Sequence, residues 1–126
     1  MPSLILKKTW KIKPSGFSVK NEKNFSLHGS FDESLISTLT SSLVNLKLTH
    51  NANPLRFILD DAGHYKADLN HDFQKYHEED AIVMIMDVLE IYGWKFVHQY
   101  DQELSSEKMN GSSYTKRELF LFQKEN

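Results

Sequence analysis

The strongest structural signal in this sequence is an apolar helix at residues 78–93 that leads directly into an alternating strand. Acidic residues open the segment, where the positive end of a helix dipole favours them, and Gly93 follows its last turn as a C-terminal cap. Only Asp87 and Glu90 mark a solvent side, which predicts a largely buried helix. The residues expected on one side of the following strand are Trp94, Phe96, His98 and Tyr100.

A second helix with a hairpin behind it precedes this unit. Ser30 and Glu33 have the spacing of a capping box, and apolar residues then recur at helical intervals. This pattern predicts a helix over 31–47 with an outer face of serine and threonine. Residues 55–60 and 64–69 predict two strands joined by a glycine-containing turn.

Both ends of the chain have the period-two pattern of strands. Residues 4–13 alternate between an apolar side and a lysine-rich side, and residues 25–27 predict a short second strand. Residues 104–113 are polar and predict a loop. Residues 114–123 predict the last strand, which we expect to be central because its run Leu119–Phe122 is apolar on both faces.

These elements predict an α+β fold with the order β-β-α-β-β-α-β-β. We expect one domain over residues 1–126, built from a mostly antiparallel sheet with both helices packed on one face. A chain of 126 residues is long enough to bury a single core without metal or disulfide support. The other sheet face would carry Lys7, Lys11, Lys95 and part of the aromatic set.

The composition excludes several classes of function. The chain has no cysteine, so it has no disulfide framework, thiolate nucleophile or cysteine-based zinc site. It has no phosphate-binding or dinucleotide-binding glycine motif and no serine in a nucleophile elbow, so no cofactor is expected and enzymatic activity is left open. No apolar run approaches the roughly 20 residues that span a bilayer, and we expect a cytoplasmic protein without membrane partners.

The charges are unevenly distributed although the net charge is only −2. Residues 1–23 carry six lysines against one acid, and residues 60–80 carry seven acids against two lysines. The two segments either face each other in the fold or form a partner surface. The N-terminal lysines around Trp10 have the basic and aromatic character of single-strand binders, but the acidic segment would oppose phosphate, which argues against a nucleic-acid partner.

The acidic segment also holds three histidines, and imidazoles with carboxylates are common metal ligands. Their spacing of six or seven residues is not that of a helical metal motif. An alternative reading places Asp68, Asn70, Asp72 and Glu79 at calcium-loop positions, although Phe73 stands where that loop needs glycine. The candidate metal ligands are His64, Asp68, His71 and Asp72.

Because no catalytic constellation emerges, the sequence favours a non-enzymatic module that binds a protein partner or associates with itself. The candidate surfaces are the free sheet face and the 60–80 segment. The alternative is a small-molecule or metal-binding protein, or a small enzyme, with an aromatic-lined cleft beside the 60–80 segment. The candidate binding residues are Trp94, Phe96, His98, Tyr100, Lys7 and Lys11.

Overall fold

A computed structural model of the chain describes residues 2–15, 18–45, 56–69, 75–108 and 111–125. It confirms the α+β class and the predicted order of six strands and two helices. The first four elements are β1 (Ser3–Ser15), β2 (Ser18–Gly29), α1 (Glu33–Asn45) and β3 (Ile58–Leu59). The last four are β4 (Tyr65–Leu69), α2 (Lys75–Ile91), β5 (Trp94–Lys108) and β6 (Gly111–Lys124).

All six strands form one antiparallel sheet in the order β3-β4-β2-β1-β6-β5. Strand β1 of the first hairpin, β1–β2, pairs with β6 of the second hairpin, β5–β6. Strand β6 is therefore an interior strand, as predicted. Helix α1 connects β2 to β3, and α2 connects β4 to β5 at the opposite edge. The two helices lie side by side on one face of the sheet, as predicted.

The core lies between the helices and this face of the sheet. The alternation of β1 places Leu4 and Leu6 on the helix face, and the register aligns them with Leu27 of β2 and with Phe120 and Phe122 of β6. Each fully buried leucine contributes about 1.5–3 kcal/mol of transfer free energy. The helices add Leu35, Ile36, Leu39, Leu43, Ala81, Ile85, Val88 and Leu89 to the same cluster.

The helices differ from their predictions in detail. Helix α1 begins at Glu33, and the amide of Leu35 donates to the carbonyl of Asp32 at 3.1 Å, so Asp32 rather than Ser30 precedes the first turn. Helix α2 is not largely buried, since Val83 and Ile91 are exposed on its outer side. Its apolar surface is wider than the sheet can cover. Residues 46–55, which include the end of the predicted helix, lie outside the described residues.

Three strands are longer than the pattern of apolar residues predicts. Strand β2 pairs with β1 over its whole length, although only its second half is apolar. The loop predicted over 104–113 is wrong for residues 104–108 and 111–113, which belong to β5 and β6, and residues 109–110 lie outside the described residues. Backbone hydrogen bonds between antiparallel neighbours extend these strands where the side chains are polar on both faces.

The long strands extend beyond the helices. Consequently the helices cover only one end of the sheet face on which they pack, here called the helix face. The other end of this face carries half-buried polar and aromatic side chains such as Lys8, Trp10 and Lys23. The opposite face of the sheet, here called the open face, is covered by no helix of the described residues. None of the described helices is long and apolar enough to cross a membrane.

Candidate binding surface on the open sheet face

The open face has a basic centre that β1 and β6 build together. The alternation of β1 places Lys7, Thr9 and Lys11 on this face, and the register sets Arg117 of β6 opposite Thr9. Thr9 is buried although it faces outward, because long neighbouring side chains surround a short one. The register therefore groups three cationic side chains around one threonine.

The charges of Lys7 and Arg117 are not balanced inside the fold. Among the described residues, neither side chain takes part in an ion pair. Glu22 lies opposite Lys11 on β2, so the excess positive charge is concentrated at Lys7 and Arg117. Burial lowers the pKa of the Lys7 ammonium, and the charges of Arg117 and Lys11 lower it further. A bound negative group would relieve this repulsion.

Arg117 supplies a second sign of an incomplete site. Its Nε is buried and has no hydrogen-bond partner among the described residues. Buried polar atoms in folded proteins almost always have a partner, so an unpaired one needs an explanation such as a missing ligand or water. A carboxylate on the open face could accept from this guanidinium and from Lys7 at the same time.

A histidine cluster borders the basic centre on the side of β2 and β4. Ser26 lies opposite Lys7, and its Oγ is 2.9 Å from Nε2 of His28. The His28 ring packs against His64 with 4.2 Å between ring centroids. Burial lowers the pKa of His28, and the charges of Lys7 and His64 act in the same direction, while Asp60 opposes them. His28 is therefore favoured in its neutral form.

The contact between Ser26 and His28 does not make a nucleophile–base–acid arrangement. In the described residues, no carboxylate hydrogen-bonds to the second ring nitrogen of His28. Asp60 is turned to its own loop, where Oδ1 accepts from the amides of Ala62 and His64 at 3.0 and 2.9 Å. Both hydrogen bonds lower the pKa of the Asp60 carboxyl, and the bond from the His64 amide has the larger effect. The geometry is that of a polar contact within a binding surface.

A β-bulge divides the four aromatic and histidine candidates of β5 between the two faces. Phe96 pairs with Phe122, but His98 pairs with Leu121, so the register shifts by one residue at Val97. Trp94 and Phe96 consequently lie on the helix face, and Trp94 is part of the core. His98 and Tyr100 lie on the open face in edge-to-face contact, 4.5 Å apart. The expectation that all four share one side is wrong.

The structure thus brings Lys7, Lys11, His98 and Tyr100 to one face. Sequence reasoning missed Arg117, Ser26 and His28, which complete the surface. All three occupy outward positions of strands, so the signal was present in the period-two pattern. Their proximity to Lys7 depends on which strands are neighbours, and that information is not in the local sequence.

The described members of the predicted metal set are not together. His64 immediately precedes β4, and its ring packs against His28. Asp68 lies four residues further along the extended chain, which places it about 13 Å from His64. Asp68 is exposed and lies near Lys66, with 3.9 Å between Oδ1 and Nζ. His71 and Asp72 lie outside the described residues. In the part of the chain that the structure describes, no three histidine or acidic side chains form a metal-binding group.

The basic and acidic segments do face each other at one point on the helix face. Glu78 in the first turn of α2 is buried, and its carboxylate lies 2.7 Å from Nζ of Lys8 and 3.1 Å from Nζ of Lys23. The Lys23 ammonium also lies 5.1 Å from the ring centroid of Trp10. Part of the charge asymmetry in the sequence is therefore neutralised within the fold.

These side chains line a cleft of about 360 Å³ between the start of α2 and the uncovered end of the helix face. Glu79, Ile82, Lys116 and Glu118 also line it. The volume is at the lower end of the range for small-molecule sites. A separate depression of about 460 Å³ between α2 and β5 is lined by Trp94, Phe96 and Phe122, and it is the counterpart of the predicted aromatic-lined cleft. Binding of a small molecule here stays a prediction.

The fold and the open face define a small α+β protein with a six-stranded sheet whose basic side is covered by no helix of the described residues. No family model and no curated protein sequence matches the chain. Its structure is similar to the crystal structure of a conserved kinetoplastid-specific protein from Trypanosoma cruzi, with a TM-score of 0.63. The two chains are 16% identical over 99% of this chain and 97% of the other. At this identity, the similarity establishes the fold alone.

Proposed function

We propose that this protein is a non-enzymatic interaction module that binds an acidic protein segment on the open face of its sheet. The observation that carries the proposal is the uncompensated charge of Lys7 and Arg117. A folded protein gains little from holding two like charges near each other in partly buried positions. Their placement is accounted for when a partner supplies the negative charge.

The surroundings of the basic centre favour a protein segment over nucleic acid. Half-buried Ile5, Leu119 and Leu121 lie next to the cations on the same face and offer contact area to apolar side chains. A phosphate backbone that crosses the sheet would carry a continuous row of charges past the acidic side chains of Glu22 and Asp68, whereas a peptide can place a carboxylate at the centre and uncharged residues beside these acids. A peptide that mixes acidic and apolar residues fits both features.

A fluorescence-anisotropy titration tests the proposal. The probe is a fluorescein-labelled peptide of alternating glutamate and leucine, and the competitor is an unlabelled single-stranded oligonucleotide. We expect the wild-type protein to bind the peptide, with affinity that falls as salt is raised, because exposed charges are screened. We expect Lys7→Glu and Arg117→Gln each to weaken binding about tenfold, which corresponds to about 1.4 kcal/mol.

Lys95→Glu is the matched control for the charge reversal. Lys95 is on the open face but at the end of β5, and it is exposed near Glu125. This variant should bind the peptide nearly as the wild type does. Equal losses in all three variants would show a general charge effect and reject a site at Lys7 and Arg117. Tighter binding of the oligonucleotide than of the peptide would reject a protein partner.

A further inference from the structure

Strand β5 leaves a long sheet edge without a partner strand. It has 15 residues and forms one end of the sheet, and no strand of the described residues pairs with its outer side. The other end of the sheet is β3, which has two residues. An unpaired edge exposes backbone donors and acceptors that can extend the sheet with another strand. The two ends of this sheet therefore differ greatly in their capacity to pair.

The outer strand also exposes apolar side chains. Phe96, Val97, Tyr100 and Leu104 each leave between 46% and 52% of their surface accessible. Proteins protect sheet edges with proline, lysine or short strands. Residues 96–104 contain neither proline nor lysine, and the protective features of this stretch are the bulge at Val97 and the acids Asp101 and Glu103. The strand thus combines free backbone groups with apolar surface, which is typical of a strand that is covered in the functional assembly.

The charges on β5 disfavour three registers of pairing with a second copy of the chain. In an antiparallel pair with two-fold symmetry, the residue at the axis faces itself. A two-fold axis at Asp101 or Glu103 would place that carboxylate opposite the same carboxylate of the second copy. An axis at Gln102 would place Asp101 of each copy opposite Glu103 of the other. Directly opposed like charges destabilise a pair of strands. These three registers are therefore disfavoured.

An axis at Tyr100 opposes no like charges. Tyr100 then faces Tyr100 of the second copy, Gln99 faces Asp101, and His98 faces Gln102. The Gln99 side chain donates to Asp101 of its own chain at 3.2 Å, and an amide has a second N–H with which it can donate to Asp101 of the second copy. Aromatic pairs across antiparallel strands are stabilising. This register satisfies both the charges and the exposed ring.

We propose that the protein forms a symmetric dimer through antiparallel pairing of β5 with β5 of a second copy, centred on Tyr100. The dimer is a continuous twelve-stranded sheet. It deepens the self-association that the sequence suggested and involves a surface separate from Lys7 and Arg117. Loss of one function does not require loss of the other, and each has its own variants.

Sedimentation velocity over a concentration series tests the dimer. We expect the wild type to reach twice the 14.7 kDa of the chain. Tyr100→Lys places two cations at the axis and should leave a monomer. Leu59→Lys makes a similar change at the other edge, where Leu59 is 56% exposed, and should leave the dimer intact. Circular dichroism of both variants checks that the fold is retained.

Single-cysteine variants test the register, because the chain has no cysteine of its own. In the proposed dimer, Tyr100→Cys places two thiols on directly opposed residues, within the Cα separation of about 4.4–6.8 Å that a disulfide needs. Gln102→Cys places them four residues apart along the strands, about 13 Å. Mild oxidation should therefore cross-link the first variant and leave the second uncross-linked.

Three outcomes would overturn the proposal. A wild-type protein that stays monomeric at every concentration, or a Leu59→Lys variant that dissociates as fully as Tyr100→Lys, would exclude pairing through β5. Cross-linking of Gln102→Cys in preference to Tyr100→Cys would exclude the register centred on Tyr100. Binding of the acidic peptide by monomeric Tyr100→Lys would show that the open-face site is independent of the dimer.

Discussion

At the scale of single residues, the open face shows how neighbouring strands set the protonation of side chains. Lys7 and His28 are on adjacent strands, and both have pKa values lowered by burial first and by neighbouring cations second. Neither shift can be predicted from the local sequence, because the neighbours are Arg117, about 110 positions away from Lys7, and His64. The contributions of neighbouring cations to both pKa shifts reflect the grouping of positive charges on this face.

His28 leads to a prediction about stability and pH. Because the pKa of His28 is lowered in the folded state below its ordinary value of 6.5, the unfolded chain takes up a proton more readily. Stability should be insensitive to this residue above that value and should fall as the pH drops through about 6.5 toward the folded-state pKa. Urea unfolding of wild type and His28→Gln measures the effect, and the variant should show the flatter dependence.

His98→Gln is the control for this measurement. His98 lies on the same face but at the far side of the sheet, in contact with Tyr100. This variant removes a histidine from the same face without touching the contacts of His28. Parallel curves for wild type and His28→Gln would contradict the prediction. Loss of stability below about pH 4 is a separate matter, since there Asp60 loses the backbone hydrogen bonds that favour its charged form.

At the scale of elements, the features that could be predicted from the sequence are those set by the spacing of apolar residues. The inward side chains of β1, the interior position of β6 and the existence of both helices follow from patterns such as Leu4, Leu6 and Leu119–Phe122. The length of β2 did not follow, since its first half is polar and is defined by backbone pairing with β1. The bulge at Val97 gave no signal, because the alternation of aromatic residues continues across it.

The bulge also explains why the candidate site was only partly predicted. It moves Trp94 and Phe96 to the helix face and leaves His98 and Tyr100 on the open face. Lys7 and Lys11 were correctly placed opposite the apolar side of β1. Arg117 was not selected, because its role depends on the pairing of β1 with β6 rather than on any motif.

The attachment of α2 to the sheet gives a prediction at this scale. The buried Glu78 carboxylate joins the first turn of α2 to Lys8 of β1 and Lys23 of β2. Glu78→Gln removes the charge from between two ammonium groups and should destabilise the protein. Loss of one member of a fully buried pair costs about 3–5 kcal/mol, but both lysines are partly exposed. We therefore expect about 2 kcal/mol in urea unfolding.

Glu79→Gln is the matched control for this substitution. Glu79 is the next residue along α2 and is exposed, so its loss should change the free energy of unfolding by less than about 0.5 kcal/mol. Both variants remove one acid near the helix N-terminus, and their effects on the helix dipole are therefore similar. Equal stabilities of the two variants would show that the contacts of Glu78 add nothing to the fold.

At the scale of the whole molecule, the proposed dimer holds two open-face sites in a fixed arrangement relative to each other. A two-fold axis perpendicular to the sheet leaves the open faces of both copies on the same side. Thr9 of β1, which lies in the middle of each basic centre, is then separated from Thr9 of the second copy by five strand spacings, about 24 Å across the sheet. Arg117 pairs with Gln102, two residues from the axis, so the centres are also offset by about 13 Å along the strands. The resulting separation is about 27 Å.

This separation predicts avidity for a two-headed ligand. Two copies of the acidic peptide joined by about 25 glycine and serine residues have a mean end-to-end distance of about 27 Å, which matches the two centres. We expect wild type to bind the joined peptide about 100-fold more tightly than the single one, since the second contact becomes intramolecular. Tyr100→Lys should bind both peptides with the same, single-site affinity, and Lys7→Glu should bind both weakly. A gain that persists in Tyr100→Lys would mean that the second acidic segment binds within one copy, and the two-centre arrangement would then be wrong.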